Sequence, residues 1–207
     1  MNPHSENHNG SASTLPASAG NFAFKEWASV VEALATGEQF LILRKGGIHE
    51  KGKKFNVLHE SFFLFPTYEH QNAEDLNSRG QQLLRQIAIR HTTENTADLR
   101  IEYFVKVTES LQINKFKTLQ KLSGFHVWSE NALRKRFDYG GERGIYALIV
   151  RVHRLPAPMI LPNLPAYGGC RSWVELSAPI PLAGMQPVLS DTAFLNRQSA
   201  LRRLTAI

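Results

Sequence analysis

The stretch LILRKGGIHEKGKKFNVLHESFFLFPTYEHQ, from Leu41 to Gln71, decides how the chain folds. Two apolar runs flank a basic loop that carries glycines. The first run, Gln39 to Lys45, is almost continuously apolar in its middle and predicts a strand buried on both faces. Gly46-Gly47 opens a loop to Lys54, after which Phe55 and Val57 alternate into a short strand. Phe62 to Phe65 predict another strand, ended by Pro66. That run stops abruptly in Pro66-Thr67-Tyr68-Glu69-His70-Gln71. An apolar strand that delivers Tyr, Glu, His and Gln together at its end is a means of furnishing a pocket.

Working outward, Phe24, Trp27, Ala28, Val31, Leu34 and Ala35 recur at helical spacing and predict a helix over Phe22 to Thr36, closed by Gly37. Glu74 to Arg90 reads as a helix with Leu83, Leu84 and Ile87 on one stripe, weakened by Gly80. Leu99, Ile101, Tyr103, Val105 and Val107 alternate with Arg100, Glu102 and Lys106, the pattern of a strand. Phe116, Leu119 and Leu122 predict a short helix closed by Gly124. Ser129 is placed to cap a helix over Glu130 to Phe137. Ile145 to Arg154 is a further strand. The segment LPAPMILPNLPAYGG that follows is too rich in proline for a ladder and reads as a surface crossing. Arg171 to Leu176 predicts a last strand, and Ser190 caps a C-terminal helix with Phe194, Leu201 and Leu204 inward. Strands and helices do not alternate regularly. The fold class is therefore α+β, with a mixed or mostly antiparallel sheet and flanking helices; a partly closed barrel is the alternative.

The chain has 207 residues, 43% of them hydrophobic, enough for a real core. Residues 1–21 carry one carboxylate and no Lys or Arg, and their Ser, Ala, Asn, Gly and Pro cannot bury enough apolar surface to order them. They read as a disordered tail without the features of a secretory signal, leaving 22–207 as a single domain. No apolar run reaches the roughly 18 residues of a membrane span. The lone Cys170 excludes an internal disulfide, fits a cytoplasmic location and excludes a cysteine-rich zinc site. A net charge of +6 and a pI near 9.6 favour a polyanionic partner.

Six segments carry a resemblance: Phe24-Lys25-Glu26-Trp27-Ala28, LRKGGI at Leu43 to Ile48, FPTYEHQ at Phe65 to Gln71, FHVW at Phe125 to Trp128, VRVHRLP at Val150 to Pro156 and YGGCRSWVEL at Tyr167 to Leu176. In this order they resemble the bacterial domain-of-unknown-function family 1802, over about Phe22 to Ser190. The family has no established activity. Some members are joined to a restriction-endonuclease-type catalytic domain, which implies a link to restriction of foreign DNA and a restriction-type nuclease subunit as partner; no such domain is read in this chain. A helix ending in Gly37, then a strand ending in Arg44, is also similar to the opening of PUA-like domains, the group that includes ASCH and EVE modules. That likeness implies a small barrel that reads RNA or modified bases.

The residues themselves offer several chemistries. Arg44, Lys45, Lys51, Lys53 and Lys54, offset by Glu50, form a basic loop in which Gly46-Gly47 lets backbone approach a phosphate. The plainer reading is a solvated hairpin. Tyr68, Glu69, His70 and Gln71 are candidates to line a pocket, with Glu69 or His70 as acid or base. Trp27, Tyr68, Trp128 and Trp173 are candidate stacking walls for a base, although core packing is the commoner fate of any one Trp. His126 and His153 sit in apolar runs, as satisfied core histidines do, and no metal-ligand spacing occurs. Cys170 behind Gly168-Gly169 is a nucleophile only if His70 or His126 comes near it. Asp98, Glu102 and Lys106 share a strand without the Glu-x-Lys spacing of restriction enzymes, and Glu175 lacks a nearby Lys. Neither GxxxxGK[ST] nor GxGxxG is present, so no nucleotide cofactor is expected.

Together these readings point to a non-enzymatic module that recognises DNA or RNA, a modified base among its candidate ligands. An enzyme using Glu69 or His70 is the alternative. A subunit presenting its proline-rich crossing at Leu155 to Pro165 to a protein partner is the third reading.

Overall fold

A computed structural model of the chain describes residues 20–45, 59–91, 98–140 and 143–205. Along the described residues strand β1 (Phe22–Trp27) runs into helix α1 (Ala28–Ala35) and strand β2 (Leu41–Arg44). Strand β3 (Ser61–Thr67) and helix α2 (Ser78–His91) lead to the long strand β4 (Asp98–Ile113). Helices α3 (Phe116–Lys121) and α4 (Glu130–Asp138) precede a second long strand, β5 (Ile145–Pro162). Short strands β6 (Trp173–Glu175) and β7 (Gln186–Pro187) and helix α5 (Asp191–Thr205) follow. The strands form one sheet in the order β2-β5-β4-β3-β1-β6, with β7 pairing on β5. Only β1 and β3 pair in parallel among these strands. The α+β class with a mostly antiparallel sheet is therefore correct.

Both faces of the sheet are covered. Phe24, Leu64, Tyr103 and Val105 look towards one core, shared with residues of all five helices. Ala23, Phe63, Leu99, Ile101 and Phe104 look towards a second, closed by Tyr167, Leu176, Ile180 and Leu182 from the irregular C-terminal segment. The ladder is open among the described residues, so the barrel alternative is not realised. Its two edge strands nevertheless approach one another: Arg44 Nη2, at the end of β2, donates to Ser172 Oγ beside β6 at 2.6 Å.

Two sequence expectations are corrected. The helix expected over Phe22 to Thr36 starts only at Ala28, because Phe22–Trp27 is a strand paired on both sides, with β3 and β6. Its apolar spacing fitted both periods, and pairing decided between them. Of the expected tail, residues 1–19 lie outside the described residues, while the Asn21 carbonyl already accepts from Leu176 N–H at 2.7 Å. The first part of the proline-rich crossing, Leu155 to Pro162, is instead the second half of β5, pairing from Met159↔Ile101 to Pro162↔Asp98. It is tolerated because the register shifts between Tyr103↔Arg154 and Ile101↔Met159, so Pro156 and Pro158 fall where the ladder is interrupted.

Several local readings hold. Ser129 and Ser190 accept from Ala132 N–H and Ala193 N–H as N-caps. Gly37 closes α1 with φ +73°. The short strand expected at Phe55 and Val57 lies outside the described residues.

Gly80 occupies its place in α2 for a packing reason. A Cβ there would sit 2.7 Å from the Val127 carbonyl oxygen and 3.0 Å from Val127 Cβ. Alanine normally stabilises a helix interior by about 1 kcal/mol over glycine. Here Gly80→Ala is expected to destabilise by ~1–2 kcal/mol, since the overpacking penalty outweighs the gain in propensity. Urea unfolding of the two proteins checks the sign.

Candidate functional site

Glu26 ends the inward face of β1 and is 4% exposed. Its Oε1 accepts from Trp27 N–H at 2.9 Å, and its Oε2 lies 3.8 Å from Arg44 Nη1. Arg44 in turn lies over the Phe24 ring, 4.4 Å from its centroid. Beside this pair the Trp27 and Trp128 rings meet at 4.7 Å. The Arg136 guanidinium stacks over Trp128 at 3.5 Å and lies 6.0 Å from Trp27. Burial pushes the Arg136 pKa down; the Glu26 charge opposes this and the Arg44 charge adds to it. Among the described residues no group hydrogen-bonds the Arg136 guanidinium. Glu26 and Asp75 thus offset the charge of Arg136, and Arg44 adds to it, beside the half-buried Trp27 indole.

The FPTYEHQ segment lies against two clefts. One, of about 340 Å³, is bounded by Leu64, Pro66 and Tyr68 together with α1, α2 and β4. The other, of about 450 Å³, takes Lys25, Tyr68 and Glu69 with the segment Asn163 to Gly168. Pro66, Tyr68 and Arg100 belong to both. The reason is visible in the sheet. The β3–β4 ladder ends at Phe63↔Phe104, yet β3 continues to Thr67 on β1 and β4 extends back to Asp98 on β5. The strands splay, and the clefts flank the opening. Pro66, expected to end the strand, lies inside β3 but beyond its last pair with β4.

A register shift between β4 and β5 shapes the smaller cleft. Leu99 and Ile101 face the second core, but past the register shift Tyr103 and Val105 face the first. The strict alternation expected from Leu99 to Val107 thus breaks at Glu102. The break brings Arg100, Glu102 and Tyr103 into one cleft, which unbroken alternation forbids. Arg100 pairs with Glu102 at 2.6 Å and Arg90 with Glu32 at 3.1 Å, while Arg154 donates to the Tyr103 hydroxyl at 3.2 Å. Burial, with Glu102, raises the Tyr103 pKa against the opposing pull of Arg154.

The predicted residues are distributed unevenly. Tyr68 and Glu69 line clefts, and His70 is exposed with φ 59°. Gln71 is committed internally: its Oε1 accepts from Ser29 N–H at 3.0 Å and Ser29 Oγ at 2.9 Å, capping α1. Lys45 donates to the Phe137 and Gly144 carbonyls. Trp128 is buried, and Trp173 packs on Phe24 and Phe62. Lys51, Lys53 and Lys54 lie outside the described residues. Cys170 is exposed, and the nearby Lys25 has its pKa lowered by burial and by Arg171, with Cys170 and Glu69 opposing. His126 is buried as expected. No cluster of three or more metal-ligating side chains occurs among the described residues. Sequence reasoning missed Glu26, Arg136, Arg100 and Arg154. For Glu26 a signal existed, a charge set between Phe24 and Trp27.

A family model for a domain of unknown function, DUF1802, matches residues 23–200. The chain belongs to this family. No curated protein matches it. Among solved structures, the chain is similar to ASCH from Zymomonas mobilis, at 13% identity and a TM-score of 0.38, over 86% of this chain and 93% of that one. A mutant of that protein overlays at 13% identity with a TM-score of 0.41, over 87% of this chain and 96% of the other. Likeness at this level carries no argument about function. No helix among the described residues is long and apolar enough to cross a membrane.

Removing the Glu26 carboxylate takes one counter-charge from both Arg44 and Arg136. Glu26→Ala is expected to destabilise by ~3 kcal/mol, as breaking a buried pair does, and adding Arg44→Met to recover part of the loss. Urea unfolding in a double-mutant cycle measures the coupling.

His126 gives a pH dependence. Its Nδ1 accepts from Trp128 N–H at 3.2 Å, its Nε2 has no partner, and burial lowers its pKa from 6.5 to about 4. The unfolded chain then binds the proton first, so stability is full above pH 6.5 and falls as pH drops towards 4. The share lost is about 3 kcal/mol. His126→Asn, which keeps an acceptor, is expected to flatten the unfolding free energy over this window, whereas an unchanged slope would show that His126 does not protonate on unfolding.

Proposed function

We propose that this protein is a module that recognises nucleic acid as a single strand, in the cytoplasm and in a restriction setting. The observation that carries the reading is the Arg136 guanidinium, stacked on Trp128 beside Arg44 and without a hydrogen bond from the described residues. A stacked guanidinium is held by its face and keeps its in-plane N–H groups for an acceptor such as a phosphate oxygen. Trp27, half-buried next to it, offers a ring to an unstacked base. The net charge of +6 supports attraction of a polyanion. Lys51, Lys53 and Lys54 join the reading as further phosphate contacts, and Tyr68 and Glu69 as walls for a base, a modified base among the candidates.

Fluorescence anisotropy with labelled single-stranded DNA, duplex DNA and single-stranded RNA at two salt concentrations tests it. Binding is expected to prefer single strands and to weaken steeply with salt. Arg136→Gln is expected to weaken binding to every sequence alike by ~10-fold and to reduce the salt slope by about 1. The triple replacement of Lys51, Lys53 and Lys54 by Ala is expected to act in the same direction. No binding of any form at low salt would exclude the reading.

A further inference from the structure

We infer that the smaller cleft, between α1, α2 and the splayed strands, is a reading pocket for an unpaired guanine base. The inference rests on the nucleic-acid reading above and names the base. The cleft is a built feature: the break in alternation at the β4–β5 register shift turns Tyr103 into the space that Arg100 and Glu102 already share. Its volume of about 340 Å³ is of the size that holds a small organic ligand. Its floor is apolar, from Val31, Leu64 and Ile87, and the Tyr68 ring, 37% exposed, forms a wall. A flat heterocycle fits such walls, because a base stacks on aromatic and apolar surfaces.

The polar lining selects among bases. Arg100 and Arg154 present donors, Glu102 and Glu32 present acceptors, and the charges are close to balanced. A balanced lining suits a neutral ring with two unlike edges better than a phosphate. Guanine alone among the standard bases has two adjacent acceptors, O6 and N7, on one edge and two adjacent donors, N1–H and the N2 amino group, on another. Arginine reads the first bidentately and a carboxylate accepts from the second. The Arg100–Glu102 and Arg90–Glu32 pairs are partly exposed, so exchanging part of such a pair for a base edge costs little. Ala28 lines the cleft and directly follows Trp27 in the chain, so the Arg136 region and the cleft lie on either side of one strand–helix junction.

Short oligothymidylates carrying one central guanine, inosine or 7-deazaguanine, compared with the all-thymine strand, test this on the unaltered protein. The guanine strand is expected to bind ~10-fold tighter than the all-thymine one. Inosine, which lacks the N2 amino group, and 7-deazaguanine, which lacks N7, are each expected to lose most of that gain. Glu102→Gln is expected to bring the guanine-to-inosine ratio close to one. Equal affinity for all four strands would overturn the guanine inference and leave single-strand recognition standing. Failure of all four to bind at low salt would overturn both.

Discussion

The Glu26 carboxylate is the constraint around which the rest is arranged. It is almost wholly buried, at the point where β1 becomes α1, and a charge cannot stay there without partners. Two are supplied locally and across the sheet: the Trp27 N–H and the Arg44 guanidinium. Arg44 sits on one edge strand, and its other hydrogen bond goes to Ser172 beside the opposite edge. A single side chain therefore answers the buried charge and holds the curled sheet's edges together. The Glu26 carbonyl also accepts from Thr67 Oγ1 at 3.1 Å, and Gln71 caps α1 from just beyond β3. The β1–α1 junction is thus fixed from three directions, which keeps Trp27 and the Arg136 stack in place.

The clefts arise from a different source, a mismatch among three strands. β4 and β5 are long and paired almost throughout, while β3 leaves β4 after Phe63 to stay with β1. Where β3 departs, β4 loses a neighbour, and at the same level β4 bulges and β5 carries extra residues with Pro156 and Pro158. Irregularity is concentrated where a continuous sheet would have filled the space. The bulge sacrifices no core residue: Leu99, Ile101 and Phe104 remain buried on one side and Tyr103 and Val105 on the other.

This explains how much was legible in the sequence. Local signals were strong wherever a residue acts on its immediate neighbours in the chain, as Ser129 and Ser190 do at helix starts and Gly37 does at a helix end. The apolar runs of β4 and β5 were equally plain as strands. The apolar LILR run was correctly read as interior. What a periodic pattern cannot express is a partner far away in sequence. Phe24 and Trp27 fit a helix until β3 and β6 pair with β1. The break at Glu102 reads as ordinary alternation because Tyr103, which turns to the other face, is apolar like Ile101 and Val105 on either side of it. The FPTYEHQ segment was read as lining a pocket; Tyr68 and Glu69 do border a cleft, while its last member, Gln71, turns inward to Ser29. In the run Arg134-Lys135-Arg136 both arginines lie over rings, Phe116 and Trp128, and Arg136 differs in being the less exposed of the two.

A division of labour follows from the electrostatics. The chain as a whole is strongly basic, yet the clefts at the β3–β4 opening mix arginine, lysine and carboxylates in near balance. Excess positive charge distributed over a surface raises affinity for any polyanion without distinguishing one sequence from another. Paired donors and acceptors in a concave, partly apolar space contribute little long-range attraction, but discriminate sharply between groups that satisfy them and groups that do not. The Arg136 stack, with its cation unanswered by a hydrogen bond, belongs to the first kind, and the Arg100–Glu102–Tyr103 cleft to the second. The stack borders Trp27 and the cleft is lined by Ala28, so the two features flank one strand–helix junction.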